Sequence, residues 1–283
     1  MKLREFVRPS TLKEARAVLR ELGPKGMPLA GGTALHFMRG RTPVTAVDIT
    51  RLGLSYIRRE GDFFEIGAAT PLADIQRRRG PRWAMHEICR RISTHQIRNV
   101  STIGGNICRV FPWADLPVVL LAMNARMLVY TGGKKRAEVP ADDFFASQPA
   151  GRFAGGDILA AVRIPVLKAH HGFGSVKASR TAAAFSLVTV AALLELEGGR
   201  IASARVAAGS AIPFPKRLRS VEAALAGREP SAETFRAAAA LAAGDARWIG
   251  QEGMSADYVR ELAEVSLTDA LARAAEFARG RND

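Results

Sequence analysis

Two glycine pairs are the residues of this sequence best suited to chemistry. Gly31-Gly32 and Gly104-Gly105 each follow a short apolar stretch, and they lie about seventy residues apart. Glycine adopts positive φ without a steric penalty and has no Cβ, so a ligand can approach the main chain closely. Amides exposed in such a turn form an anion-binding nest. Two nests suit a dinucleotide diphosphate held from both sides, although each pair alone is also compatible with an ordinary tight turn.

The elements around the first pair predict a small βαβ unit. A strand over residues 27–30 enters the glycine turn, and ligands bind at the carboxyl ends of strands in open sheets. No GxGxxG fingerprint is present. Thr11 and Glu14 predict a capping box at the start of the preceding helix. The predicted elements are strand 3–7, helix 12–22, strand 27–30, a short helix from residue 35, and strand 44–50.

The next hundred residues predict a mixed sheet with helices. Glu60-Gly61-Asp62 has the composition of a hairpin turn between two strands. Thr70 is predicted to cap the helix that follows, with Pro71 at its first position. The predicted strands are 54–59, 63–67, 125–130, 136–139 and 157–164, and the predicted helices are 72–79, 83–92 and 114–123.

The last section predicts an antiparallel sheet followed by helices. Gly198-Gly199 marks a hairpin turn, and the alanine-rich run near residue 240 strongly favours a helix. The pattern therefore predicts an α+β protein with domains 1–52, 53–168 and 169–283. The predicted strands are 174–179, 186–195 and 201–208, and the predicted helices are 215–225, 232–243 and 256–279.

Composition restricts the class of protein. The 283 residues are 48% hydrophobic and 24% charged, which is typical of a globular chain. No apolar run approaches the length of a membrane span, and residues 1–5 lack a signal peptide's apolar core. With two cysteines, Cys89 and Cys108, the chain has too few ligands for its own iron–sulfur cluster or zinc site. We therefore expect a reduced, cytoplasmic protein.

The positive charge is unevenly distributed. The net charge is +14, of which residues 1–170 carry +13. Such a half indicates a docking face, steering of an anionic ligand or nucleic-acid binding, or it reflects arginine-rich codon usage alone. The aromatic residues that interleave with basic ones in single-strand binders are few, at 7%. We therefore expect no nucleic-acid partner.

Six segments in order resemble the FAD-binding medium subunit of the xanthine dehydrogenase and carbon monoxide dehydrogenase family of molybdenum hydroxylases. The resemblance extends from the N-terminus to about Leu271. Each motif alone is weak, whereas six in order at matching spacing are specific. The segments are 29–33, 66–70, 102–106, 114–117, 157–165 and 177–180.

The resemblance implies a fold and a set of partners. Residues 1–52 and 53–168 would be two parts of one FAD-binding domain, and 169–283 a C-terminal domain with a three-stranded antiparallel sheet and a helical bundle. A large molybdopterin subunit would oxidise the substrate and a small iron–sulfur subunit would relay electrons. This chain's FAD would pass them to an external acceptor such as NAD or a quinone. A dimer of such heterotrimers is expected.

The resemblance also implies cofactor contacts. Asp115 would hold a ribose hydroxyl or the adenine amine, although capping a helix is its alternative role. Leu159 would cover the isoalloxazine ring, and Lys177 would place positive charge near it. At Ala34 the family usually has a polar residue, so one contact is missing here. The implied cofactor-binding residues are Leu29, Ala30, Gly31, Gly32, Thr33, Ala34, Leu35, Thr70, Ile92, Thr102, Ile103, Gly104, Gly105, Asn106, Asp115, Leu159 and Lys177.

The chain itself is expected to supply no catalytic side chain and no metal ligand. A flavin that relays electrons needs binding and electrostatic tuning, since the redox chemistry belongs to the cofactor. His170 and His171 are adjacent rather than at ligand spacing, so no metal is assigned. Two alternatives stay open: a stand-alone FAD-dependent reductase of the same superfamily, and a basic nucleic-acid-binding protein.

Overall fold

The computed structural model describes residues 2–38, 43–80, 82–153, 155–251 and 253–280. Its strands form three sheets: one of three strands, one of five and one of four. The strands are β1 (Leu3–Val7), β2 (Gly26–Leu29), β3 (Val44–Asp48), β4 (Ile57–Glu60), β5 (Phe63–Gly67), β6 (Arg126–Tyr130), β7 (Ala137–Pro140), β8 (Ile158–Pro165), β9 (His171–Ala178), β10 (Val188–Glu197), β11 (Arg200–Gly209) and β12 (Lys216–Arg217).

Helices of very different length accompany these sheets. Short 3₁₀ helices lie at Gly23–Lys25, Thr33–Phe37 and Pro149–Phe153. None of the helices in the described part of the chain is both long and apolar enough to cross a membrane. The α-helices are α1 (Leu12–Leu22), α2 (Leu72–Arg77), α3 (Met85–Arg90), α4 (His95–Val100), α5 (Ile103–Ile107), α6 (Leu116–Ala122), α7 (Ala141–Phe144), α8 (Arg219–Leu225), α9 (Ala232–Ala240), α10 (Ala242–Asp245) and α11 (Ala256–Ala278).

The described residues divide into two compact units that interleave along the chain. One unit comprises Met1–Arg78, Thr94–Val110 and Arg126–Ile164, and the other comprises the remaining segments. Residues 79–93 and 111–125 thus belong to the same unit as the C-terminal part of the chain. The chain therefore leaves the first unit and returns to it twice. The domain boundaries after residues 52 and 168 remain predictions.

The predicted βαβ unit is confirmed in the first unit. β1 and β2 both pair in parallel with β3, which lies between them. At the start of α1, the Thr11 hydroxyl accepts a hydrogen bond from the Glu14 amide (3.1 Å), and the Glu14 carboxylate accepts one from the Ser10 amide (2.7 Å). The first bond satisfies a donor that a helix leaves unpaired at its start, and the second pairs the amide of the residue before the cap.

The five-stranded sheet has the order β4-β5-β8-β6-β7 and contains the predicted hairpin, in which Ile57 pairs with Ile66. The prediction that Thr70 caps the next helix is wrong. Pro71 occupies the cap position, without a side-chain bond. The Thr70 hydroxyl instead bonds the backbone of Tyr56, accepting from its amide and donating to its carbonyl. Helix α4 has no counterpart among the predicted elements.

Glu65 is a buried carboxylate on the five-stranded sheet, with 1% of its side chain exposed. It accepts hydrogen bonds from the hydroxyl of Tyr56 (2.7 Å) and from Arg58 (2.9 Å), Arg136 (3.0 Å) and Arg163 (2.9 Å). Burial by itself raises the pKa of this carboxyl, but the hydrogen bonds and the arginine charges outweigh burial and lower it. Glu65 is therefore ionised and accepts hydrogen bonds from four side chains at once.

The C-terminal sheet is antiparallel, with the order β12-β11-β10-β9. Its three long strands are the three predicted from the sequence. The two-residue β12 is an addition, because Lys216 and Arg217 pair with the end of β11. Helix α11 packs its buried residues, among them Leu267 and Leu271, into a core shared with β10 and β11. The predicted α+β fold class is thus confirmed.

Candidate functional site

Both glycine pairs line one pocket in the first unit. The pocket also contains the start of β8, where Leu159 is 4% exposed. Two sequence segments separated by about seventy residues are thereby brought together. The predicted site residues that line the pocket are Leu29, Ala30, Gly31, Gly32, Thr33, Ala34, Leu35, Thr102, Gly104, Gly105 and Leu159.

The first glycine turn presents unpaired amides. Gly32 has φ = +69°, the left-handed region that favours glycine. Its carbonyl accepts a bond from the Leu35 amide (3.1 Å), which starts the 3₁₀ helix Thr33–Phe37. The backbone amides of residues 31–34 donate no hydrogen bond to any described residue. A run of unpaired donors on a pocket wall is the chemistry that an anionic oxygen needs.

Gly31 has a different function from Gly32. A Cβ at Gly31 would lie 1.7 Å from the carbonyl oxygen of Val100, so only glycine allows these two backbones to meet. Beside this contact, the hydroxyls of Thr33 and Ser101 lie 2.9 Å apart and share a hydrogen bond. The first turn is thus held directly against the segment that leads into the second glycine pair.

The second glycine pair does not present bare amides. The Gly104 amide donates to the carbonyl of Ala68 (2.8 Å), and the Gly105 amide donates to the hydroxyl of Thr102 (3.0 Å). Thr102 is the N-cap of α5, which explains why its side chain takes this bond. The expectation of a second amide nest is therefore wrong: these donors are consumed by the short helix and by its contact with Ala68.

One polar atom beside the second pair is unsatisfied. The side-chain oxygen of Asn106 is buried and has no hydrogen-bond partner among the residues that the structure describes. Leaving a buried acceptor unpaired costs about 1–3 kcal/mol, so such atoms are uncommon in native proteins. A bound molecule with a hydrogen-bond donor would satisfy it. Asn106 itself is not among the residues that line the pocket.

Asp115 and Lys177 belong to the other unit, where they contact each other. The Lys177 ammonium lies 3.6 Å from Asp115 Oδ2 and donates to the carbonyl of Arg91 (2.8 Å). Asp115 Oδ1 accepts hydrogen bonds from the hydroxyls of Ser186 and Thr189. Asp115 is at the N-cap position of α6 but makes no side-chain capping bond there. Asp115 therefore holds the N-cap position without capping the helix through its side chain, and the charge of Lys177 is paired with the Asp115 carboxylate.

Three further predicted residues do not line the pocket of the first unit. Thr70 is 1% exposed and Ile103 is fully buried in the first unit. Ile92 is 9% exposed and belongs to the other unit. Their assignment as cofactor contacts stays a prediction.

The pocket also contains residues outside the set predicted to bind the cofactor. Phe153 and Ala150 come from a 3₁₀ helix that carries no recognisable pattern. Asp157 lines the pocket and is bonded to Arg16 at 2.9 Å, and its position directly before the Ile158-Leu159 stretch was the available signal. Cys108 lines the pocket as well, and burial raises the pKa of its thiol to about 12. It is therefore a neutral thiol at physiological pH.

The geometry defines a class of protein: an α+β protein whose glycine-turn pocket offers main-chain donors to an anion. Family comparison gives the particular family. Residues 2–167 match the model of the FAD binding domain in molybdopterin dehydrogenase, and residues 176–274 match the CO dehydrogenase flavoprotein C-terminal domain. The chain belongs to this family and is the FAD-binding medium subunit of a molybdenum hydroxylase family member, an oxidoreductase flavoprotein subunit.

Individual relatives agree with this assignment. The glyceraldehyde dehydrogenase medium chain of Sulfolobus acidocaldarius is 33% identical over 79% of this chain and 81% of its own. The carbon monoxide dehydrogenase medium chain of Afipia carboxidovorans is 29% identical over 98% of both chains. A solved carbon monoxide dehydrogenase from Hydrogenophaga pseudoflava, which lacks the Mo-pyranopterin moiety of its cofactor, superposes with a TM-score of 0.91 at 29% identity, covering 98% of each chain.

The residues of the pocket fit FAD. The unpaired amides of residues 31–34 suit the anionic diphosphate, and the apolar walls at Leu29 and Leu159 suit a flat ring system. The unpaired oxygen of Asn106 lies outside this lining, so the fit is judged on the pocket residues alone. The first glycine turn carries the fit, because the amides of the second pair are already bonded within the protein.

Proposed function

We propose that the chain passes electrons from an iron–sulfur subunit through its bound FAD to an external acceptor such as NAD or a quinone. What the chain's own residues contribute is binding and orientation of the cofactor. The observation that carries the proposal is one pocket lined both by residues 31–34, whose amides donate to no described residue, and by the second glycine pair. No nucleophile or general base is needed for this role.

The first glycine turn is proposed to bind the diphosphate. Its amides are available to donate to an anion, since they are not engaged with any described residue. The second segment is proposed to contribute the side chains of Thr102 and Asn106 rather than the amides of the glycines. Thr70, Ile92, Ile103, Asp115 and Lys177 are proposed as further cofactor contacts, and the FAD content of variants at these positions tests each of them.

The proposed partners are a small iron–sulfur subunit and a large molybdopterin subunit, assembled as a dimer of heterotrimers. Relatives whose names contain "medium chain" or "medium subunit" support a multi-subunit assembly. Both described cysteines are free, which accords with a reducing, cytoplasmic location. The basic character of residues 1–170 would suit an acidic partner surface.

A matched pair of glycine variants tests the site. Gly32→Val forces a β-branched residue to φ = +69° in the pocket, whereas Gly198→Val imposes the same strain at φ = +56° in an open hairpin turn. We expect the complex with Gly32→Val to lose most of its FAD, measured by absorbance of released flavin per chain. The Gly198→Val complex should keep the wild-type FAD content.

Two results would contradict the proposal at different points. Full FAD content in Gly32→Val would disprove the role of the first turn. If the intact complex binds FAD but the flavin absorbance is not bleached when the molybdenum subunit receives its substrate, the electron-transfer role is wrong. Flavin reduction in this chain without partner subunits would favour the stand-alone reductase.

A further inference from the structure

Two histidines and a glutamate lie together at one end of the C-terminal sheet. His171 is the first residue of β9, and Glu195 of β10 is its direct partner in the antiparallel register. His170 immediately precedes the strand. One potential ligand atom from each of the three side chains lies within 4.8 Å of the other two. The antiparallel pairing thus supplies a carboxylate to a histidine pair that is adjacent in sequence.

The distances in this cluster resemble those between ligands on one metal ion. Nε2 of His170 lies 3.2 Å from Glu195 Oε1, and Nε2 of His171 lies 3.6 Å from the same oxygen. Ligand bonds of about 2.0–2.2 Å in tetrahedral or octahedral geometry place neighbouring ligand atoms roughly 3.0–3.5 Å apart. Small rotations of exposed side chains would therefore complete the geometry.

The surroundings orient the carboxylate. The hydroxyl of Ser203, on the neighbouring strand β11, donates to the other oxygen, Glu195 Oε2, at 3.0 Å. This bond leaves Oε1 directed toward the histidine rings, and such supporting bonds commonly hold metal ligands in place. About two-fifths of the side chains of His170 and Glu195 are exposed, so an ion can enter from solvent and keep water ligands.

We propose that His170, His171 and Glu195 bind one divalent first-row transition ion, with water in the remaining positions. Two imidazoles and one carboxylate favour ions such as Zn²⁺ over Mg²⁺ and Ca²⁺, which prefer oxygen ligands. Each ring ligates through a nitrogen that has lost its proton or has passed it to the ring's other nitrogen. When His171 binds through Nε2, the ring proton lies on Nδ1. Nδ1 then no longer accepts the long hydrogen bond (3.3 Å) that the Lys168 amide donates to it. The ion would fasten the start of β9 to β10.

Zinc binding to the full-length, tag-free chain tests the site. We expect equilibrium dialysis to give one saturable Zn²⁺ per chain. His170→Gln and Glu195→Gln should each weaken binding at least about tenfold, and Ser203→Ala should weaken it about 10- to 100-fold, as losses of supporting bonds do. Glu197→Gln, an exposed carboxylate on the same strand, is the matched control and should bind Zn²⁺ like wild type. Co²⁺ bound at the site should add visible absorption bands that Glu195→Gln abolishes.

Two outcomes overturn the proposal. One is the absence of saturable binding up to the millimolar range in the wild-type chain. The other is equal Zn²⁺ affinity in wild type and Glu195→Gln, which would assign the ion to other groups such as the cysteines. Because the cluster does not depend on FAD, normal FAD content in all variants is expected and keeps this test separate from that of the cofactor site.

Discussion

Replacing Lys177 with methionine removes one charge from a buried ion pair and leaves the other in place. The two charged atoms lie 3.6 Å apart, and only 8% of the Lys177 side chain and 9% of the Asp115 side chain are exposed. At this distance and an effective dielectric constant of about 20, the attraction is about 5 kcal/mol. Breaking a buried pair from one side costs about 3–5 kcal/mol. We expect the lower value, about 3 kcal/mol, because Ser186 and Thr189 still donate to Asp115.

The measurement is urea unfolding of the FAD-free chain, with FAD affinity measured separately by flavin fluorescence. Lys13→Met removes an exposed lysine and should change the free energy of unfolding by less than about 0.5 kcal/mol. Adding Asp115→Asn to Lys177→Met should cost less than the sum of the single changes, because the uncompensated charge is gone. A loss below about 1 kcal/mol for Lys177→Met would refute the structural role. Reduced FAD affinity at unchanged stability would instead support the predicted cofactor contact.

Two further outcomes follow from titratable groups. Cys108 is partly exposed, but burial raises the pKa of its thiol to about 12, so in a Cys89→Ala chain it should react with a thiol reagent at pH 8 much more slowly before unfolding than after; equal rates would contradict this. The pKa of Glu65 is lowered from 4.5, so its stabilising contribution is present above that value and is lost as pH falls through the folded-state pKa. The free energy of unfolding of wild type should therefore fall more steeply below about pH 4.5 than that of Glu65→Gln, measured by urea unfolding between about pH 3 and 6; parallel curves would show that the Glu65 carboxyl does not carry this dependence.

Local elements were predictable because their signals are local. The capping box at Thr11 and the apolar stripe of α1 involve residues within a few positions of each other. The hairpin 57–67 and the three long C-terminal strands likewise follow from alternation and turn residues. Helix α4 was missed, because His95–Val100 is short and buries only Arg98, so it lacks an apolar periodicity.

Contacts between distant segments were not predictable in the same way. Whether an amide in a glycine turn is free depends on which carbonyl or hydroxyl lies nearby in space. At Gly104 the partner is Ala68, far away along the chain, whereas the turn at Gly31-Gly32 has no such partner among the described residues. The sequence patterns of the two turns are alike, and the packing around them differs.

The sequence alone determined the α+β class, the order of most elements and the family, because those depend on residue patterns that persist along the chain. Tertiary structure decided which donors remain available, that Lys177 faces Asp115, and that Glu195 joins two histidines whose adjacency gave no sign of a metal site. The physical reason is that hydrogen bonds and charges are satisfied by the nearest group in space. Folding selects that group from positions that the linear order leaves far apart.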